Sequence, residues 1–271
     1  MTLSTYNLSN GIEAKALNPF GLLIQGNGCD LREIEVAEIR RLAWEYRLIV
    51  LRGFQKLDRQ NLTEYCTSWG DLLHWNFGVI FDLVVHENAT NYLLTNGRVP
   101  FHWDGAFIET VPSFEIFQCL KAPVAGTGGE TLFCDTIRVW ENATPKQQEV
   151  WRKIEITYIT ESNSAHYGGK ITVPLVSQHP KTGVTRLRFG EPLDLEYNHL
   201  TRLSMEIKGI PALEHEAFLK EMQRLIYSPQ NCIVHQWQDG DLVIGDNHAL
   251  LHARNKFLAT TPRHLQRVHI L

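Results

Sequence analysis

The chain has 271 residues, 44% of them hydrophobic and 21% charged, with a formal net charge of −4 at pH 7. Such a composition belongs to a globular protein with enough apolar material for a large core, and it excludes disordered and fibrous classes. The mild negative charge without a basic run leaves no electrostatic footprint for nucleic acid. No apolar stretch reaches the ~18 residues that a membrane span needs.

The polar stretch 1–10 lacks the basic and apolar regions of a signal peptide. Five cysteines, odd in number and without a Cys-x-x-Cys pair, read as reduced thiols. The expectation is a cytoplasmic protein forming a single domain over 1–271.

Phe20–Ile24 is a predicted strand, and 31–46 carries apolar residues on one helical face. Leu48–Leu51 is a continuous apolar strand. A second helix is expected from an Asp58 cap to about Trp69. Between 71 and 100 the pattern is broken by Asn, Asp and Gly, which reads as a lid loop over a site. Strands then dominate. Ser113–Leu120 and Thr131–Cys134 are extended, and Thr144-Pro145-Lys146-Gln147 has capping-box spacing for a helix to about Lys153. Strand 155–160 follows, and a Pro180–Gly183 turn between apolar runs predicts a hairpin. Glu214–Tyr227 is amphipathic and helical. Cys232–Trp237 and Asp241–Ile244, joined through Asp239-Gly240, predict a further hairpin, and 267–271 a last strand.

Chemistry concentrates at His102-Trp103-Asp104. On an extended segment, residues two apart point to one side. A histidine and a carboxylate so placed, joined by His252 from a distant strand, would form the facial triad that holds Fe(II) and leaves its opposite face open. The short motif alone is a weak signal in a chain with 12 histidines. His248, His264 and His269 read as ordinary satisfied imidazoles. Oxygen activation at such a site needs two more electrons than a hydroxylation takes from its substrate, and a 2-oxo acid supplies them by decarboxylating. The far carboxylate of that acid calls for a bidentate cation, and Arg263 and Arg267 follow His252 in the chain, with Thr131 as the candidate hydroxyl donor.

His102-x-Asp104, Gly128-Gly129-Glu130-Thr131, Gly240-Asp241 through Asp246-Asn247, then His252, Arg263 and Arg267 together closely resemble the taurine-dioxygenase (TauD/TfdA) family. The resemblance spans nearly the whole chain and implies a mainly β fold with flanking helices around a double-stranded β-helix (jelly-roll, cupin-like) core. It also implies Fe(II) held by His102, Asp104 and His252, 2-oxoglutarate as cosubstrate held by Thr131 and Arg263, and O2 as oxidant. Arg267 would face an anionic group of the substrate. Glu130 departs from the Asp of many relatives, beside the site without being a ligand.

The run Thr95–Gly105 is similar to the subgroup that processes amino-acid-derived isonitriles. That likeness implies desaturation, with or without decarboxylation, of a substrate such as tyrosine isonitrile. Arg98, Tyr92, Phe101 and Trp103 are the further candidates for its pocket, with His74 and Tyr167 behind them. The alternatives are hydroxylation or dealkylation of a small sulfonate, carboxylate or amino acid, and a non-enzymatic cupin-like metal module. The expected partner is a small molecule, with a homo-oligomer left open.

Overall fold

Residues 5–8, 11–164, 167–193, 200 and 202–271 are described in this computed structural model; side chains at 5–7, 161–164 and 167 lie outside that description. The chain enters through three short strands, β1 (Thr5–Asn7), β2 (Glu13–Ala16) and β3 (Leu22–Gln25). Helix α1 (Val36–Tyr46) buries Ile39, Leu42 and Ala43 and leads into β4 (Leu48–Arg52). Helix α2 (Arg59–Thr67) begins where predicted, because the Asp58 carboxylate accepts the Asn61 backbone N–H at 2.8 Å. Strands β5 (Phe81–Val84), β6 (Val99–His102), β7 (Phe114–Lys121) and β8 (Thr131–Asp135) follow. Helix α3 (Thr136–Glu141) and helix α4 (Pro145–Trp151) come next, the latter opened by the predicted Thr144–Gln147 capping box.

Beyond them lie β9 (Glu155–Ser164), β10 (Tyr167–Pro174), β11 (Val176–Gln178), β12 (Thr185–Leu187), β13 (Leu203–Lys208) and α5 (His215–Ile226). Strands β14 (Cys232–His235), β15 (Leu242–Asp246), β16 (Leu250–Arg254) and β17 (His264–Ile270) complete the chain. The hairpin expected about the Pro180–Gly183 turn is present as the antiparallel pair β11–β12.

One sheet runs β1-β2-β3-β4-β15-β7-β17-β5 and a second runs β14-β8-β16-β6, as in a double-stranded β-helix. An inner core of Phe117, Phe133, Val243, Leu250 and Leu265 joins the two sheets. Helices α1 and α2 cover the outer face of the large sheet through Ile39, Leu42, Leu62 and Tyr65. On the small sheet, Trp140, Trp151, Phe218 and Met222 pack from α3, α4 and α5. Both sheets are therefore buried on two sides, and polar groups between them must find partners there. Among the described residues no helix is long and apolar enough to cross a membrane.

One expectation fails on topology. Strands β14 and β15 are not a hairpin: β14 pairs with β8 in the small sheet, and β15 lies between β4 and β7 in the large one. Turn chemistry is local, and the Asp239-Gly240 turn is tied to β7 instead. Gly240 N–H donates to Cys119 O at 2.9 Å, and Asp239 accepts from Ala122 N–H at 2.7 Å. The turn thus carries the chain across from one sheet to the other. The 71–100 stretch is also more regular than its composition implies. It contributes β5 as an edge strand on β17, and Arg254 ties it down by donating to the carbonyls of Leu93, Thr95 and Gly97 at 2.7–2.8 Å.

Candidate metal centre

His252 on β16 lies directly opposite His102 on β6 in the antiparallel ladder, with ring centroids 4.2 Å apart. Cross-strand register, not sequence distance, makes these imidazoles neighbours. Strand β6 ends at His102, so Asp104 is not carried there by strand alternation as the spacing suggests. A turn brings it in, and Asn247 clamps that turn. The Asn247 side chain accepts Asp104 N–H at 2.9 Å and donates to the carbonyls of Asp104 and Pro112 at 2.9 and 2.8 Å. One donor atom from each of His102, Asp104 and His252 lies within 4.8 Å of the other two.

Each side chain is oriented for a cation. Nδ1 of His102 donates to Pro100 O at 2.8 Å, which leaves Nε2 with its lone pair, buried and without a partner. Burial pushes the pKa of His102, and likewise of His252, down to about 4, so both rings stay neutral through the physiological range. Against the upward push of burial, Arg267, His269 and His252 hold the Asp104 carboxyl well below the usual carboxylate range. Its Oδ2 accepts from Arg267 Nη1 and His269 Nε2, both at 2.7 Å, while Oδ1 stands 3.8 Å from His102 Nε2. Trp75 Nε1 donates to His269 Nδ1 at 3.2 Å, and this sets the proton of that ring on Nε2, facing Asp104. Two neutral imidazoles, one ionised carboxylate and an orphaned buried Nε2 fit a divalent first-row ion bound on one face.

A pocket opens beside this cluster. The small sheet lines it with His102, Thr131, His252 and Arg254, and the large sheet with Leu83, Phe117 and Arg267. Arg263, just before β17, enters the same space and is buried. Its Nε donates to Gly129 O at 2.9 Å, and its Nη2 lies 3.5 Å from Thr131 Oγ1. The Thr131 hydroxyl also accepts from Trp237 Nε1 at 3.0 Å. Gly128 and Gly129 both have φ of +85°, and a Cβ on Gly128 would stand 2.0 Å from Lys256 O. The double glycine is what lets this turn press against the 256–263 segment and bring Thr131 to Arg263.

The other anticipated pocket residues fare differently. Arg98 is engaged by Glu191 at 2.9 Å and by Tyr227 Oη at 2.6 Å, a pairing that neutralises a buried carboxylate. Phe101 is fully enclosed in the core against Tyr227, and Trp103 packs on Tyr158 beneath the Arg188 guanidinium. None of these three lines the pocket beside the triad, whose aromatic wall is Phe117. Tyr92 is half-buried in a helical turn whose next residue, Leu93, lines that pocket. His74 is exposed, and the side chain of Tyr167 lies outside the described residues.

Several residues of the centre escape a reading of the sequence. His269, expected to be an ordinary imidazole, donates to Asp104. His248 bonds Arg188 at 3.2 Å and His264 pairs with Asp82 at 2.9 Å, as satisfied imidazoles do. Glu115 on β7 is completely buried, with Oε2 3.0 Å from His252 Nδ1. Burial, and then the charge of Asp104, raise its carboxyl well above the usual range. Period-2 counting along β17 puts Arg267 and His269 on one face and was the available signal for His269.

A family model described as taurine catabolism dioxygenase TauD, TfdA family matches residues 8–269. The chain is 55% identical to a 3-((Z)-2-isocyanoethenyl)-1H-indole synthase of Fischerella ambigua, over 95% of this chain and 94% of that protein. It is 36% identical to a tyrosine isonitrile desaturase of Pseudomonas aeruginosa, over 93% of this chain and 87% of the relative. Among solved structures, PvcB of Pseudomonas aeruginosa superposes with a TM-score of 0.80 at 34% identity, covering 99% of this chain and 90% of its own. A second structure of PvcB, described as an Fe, alpha-ketoglutarate dependent oxygenase from an isonitrile synthetic pathway, gives 0.79 at the same identity, with coverage of 99% and 90%.

Proposed function

The chain belongs to the TauD/TfdA family and is an Fe(II)/2-oxoglutarate-dependent dioxygenase, and from that premise we propose that it desaturates an aromatic α-isocyano acid to a vinyl isonitrile. An indole-bearing substrate ranks ahead of tyrosine isonitrile, because the relative named for an isocyanoethenyl indole shares 55% of residues against 36% for the tyrosine isonitrile desaturase. The observation that carries the reading is the orphaned His102 Nε2 beside Asp104 and His252, at the head of a pocket that is also lined by Arg254, Arg263 and Arg267.

In this reading His102, Asp104 and His252 hold iron. With 2-oxoglutarate and O2, the bound iron supplies the power to remove hydrogen from an unactivated carbon, the carbon chemistry being the cofactor's own. The chain supplies position and dryness. Arg263 and Thr131 bind the far carboxylate of 2-oxoglutarate in a water-poor pocket, where a charge-assisted pair is strong. Arg267, already on Asp104, is the cation available to a substrate carboxylate, and Phe117 and Leu83 offer an apolar wall. Overall, removal of two hydrogens from the substrate is matched by conversion of 2-oxoglutarate and O2 to succinate, CO2 and water. Loss of the substrate's own carboxylate as a second CO2 completes the vinyl isonitrile.

The test is anaerobic addition of Fe(II) and 2-oxoglutarate, then of indole and phenol isocyano acids, following the metal-to-ligand charge-transfer band. Oxygen is then admitted and the products are weighed. A product lighter by two hydrogens, with or without CO2, supports desaturation. One heavier by an oxygen replaces it with hydroxylation, and absence of succinate with every substrate removes the activity altogether.

Trp237 offers a milder check on the cosubstrate site. Trp237→Phe removes the N–H that orients the Thr131 hydroxyl, one neutral hydrogen bond worth about 0.5–1.5 kcal/mol. KM for 2-oxoglutarate should rise about two- to tenfold while kcat at saturation holds. An unchanged KM would mean that Thr131 does not contact the cosubstrate.

A further inference from the structure

We propose that Glu115 is a positioning residue for the metal centre: its buried carboxyl group accepts the Nδ1–H of His252 and thereby keeps Nε2 of that ring turned toward His102 and Asp104. The inference rests on the reading of His252 as an iron ligand.

Glu115 sits inside β7 between Phe114 and Ile116, with no exposed surface. Among the described residues it caps no helix and forms no salt bridge with a lysine or arginine. Neither carboxyl oxygen completes a hydrogen bond, and neither does His252 Nδ1, yet Oε2 and Nδ1 face each other at 3.0 Å. Two buried polar groups at bonding distance, short only of good alignment, need a small rotation to satisfy each other.

The fold makes room for this acid. Its partner across the ladder on β15 is Gly245, where a Cβ would come within 3.0 Å of Oε1. On the other side it lies opposite His269 of β17. Asp104 is not a competing acceptor for His252 Nδ1, because its Oδ2 already accepts from Arg267 and His269. A ring that gives Nε2 to a cation must carry its proton on Nδ1, and that proton meets Glu115. His102 has the same arrangement with Pro100 O in place of a carboxyl group. Each imidazole is thus oriented from behind by one acceptor.

The test compares the wild type with Glu115→Leu and Glu115→Gln, all prepared free of metal. Anaerobic Fe(II) titration gives affinity, the visible absorption of the Co(II) forms reports ligand geometry, and urea unfolding of the metal-free proteins reports fold. Glu115→Leu should lose about 10–100-fold in Fe(II) affinity, as removal of a ligand's hydrogen-bond partner typically does, and should shift the Co(II) spectrum. Glu115→Gln keeps an acceptor oxygen and should restore most of both. The metal-free leucine variant should stay folded with a urea midpoint close to that of the wild type, because relief of a buried acid offsets the one hydrogen bond lost at His252.

Affinity of the leucine variant within threefold of wild type overturns the proposal. So does a metal-free leucine variant that is unstable or unfolded, which would make Glu115 a structural residue, or a glutamine variant as impaired as the leucine one. Should the wild type itself take up no Fe(II), the assignment of the three ligands fails first, and that outcome is distinct from the others.

Discussion

His252→Ala protein should bind no stoichiometric Fe(II) and show no detectable turnover, while His248→Ala, four residues earlier, should retain both. The contrast is instructive because both residues follow the same Asp246-Asn247 turn. His252 presents Nε2 to a shared space with Asp104 at 3.8 Å, and its ring stands against His102. Alanine there leaves two donors, too few to hold a divalent ion while leaving half its surface open. His248 is directed to Arg188, whose guanidinium bonds its Nδ1 at 3.2 Å, and burial pushes its pKa down to about 3. It has a partner and no path to the cluster. Anaerobic Fe(II) titration and succinate release measure the two effects, with circular dichroism confirming that both variants are folded. Iron binding that survives at His252→Ala and disappears at His248→Ala would exchange the two assignments.

What the sequence discloses of this centre follows a physical rule. His102, Asp104, Thr131, His252, Arg263 and Arg267 are legible because their residue types match the chemistry and their order matches a family pattern. Helix starts at Asp58 and Thr144 are legible because a cap is satisfied within four residues. Long-range closure is not local, and it is there that the reading goes wrong. Glu115, His269 and Trp75 gain their roles only when β7, β17 and the 71–81 segment meet around Asp104; Trp75 and His269 are 194 positions apart. The Asp239-Gly240 turn misleads for the same reason, since its residues specify a reversal but not which strands are rejoined. Phe101 and Trp103 flank His102 in sequence and pack into the core beside it, because the neighbours of a strand-end residue point to the other side.

Arg263→Ala should raise the 2-oxoglutarate requirement at least thirtyfold with kcat at saturation nearly unchanged. Truncating one partner of a buried charge pair costs about 2–5 kcal/mol, and every 1.4 kcal/mol is tenfold. Burial, then the charge of nearby Arg254, lower the Arg263 pKa, but a guanidinium keeps its charge at neutral pH. Among the described residues its hydrogen-bond partners are two neutral oxygens, Gly129 O at 2.9 Å and Thr131 Oγ1 at 3.5 Å, and no carboxylate forms a salt bridge with it, so its capacity for a carboxylate is not used up by the fold. The consequence can be separated from general damage. Loss of an uncompensated buried cation should leave the thermal midpoint of the protein without cosubstrate level or slightly higher, whereas the stabilisation that wild type gains from added 2-oxoglutarate should shrink or vanish. Arg263→Lys should recover only part of the affinity, because an ammonium restores the charge without the bidentate fork. If the KM for 2-oxoglutarate stays where it is in Arg263→Ala, the far carboxylate is bound elsewhere, and Arg267, which also lines the pocket, becomes the residue to test.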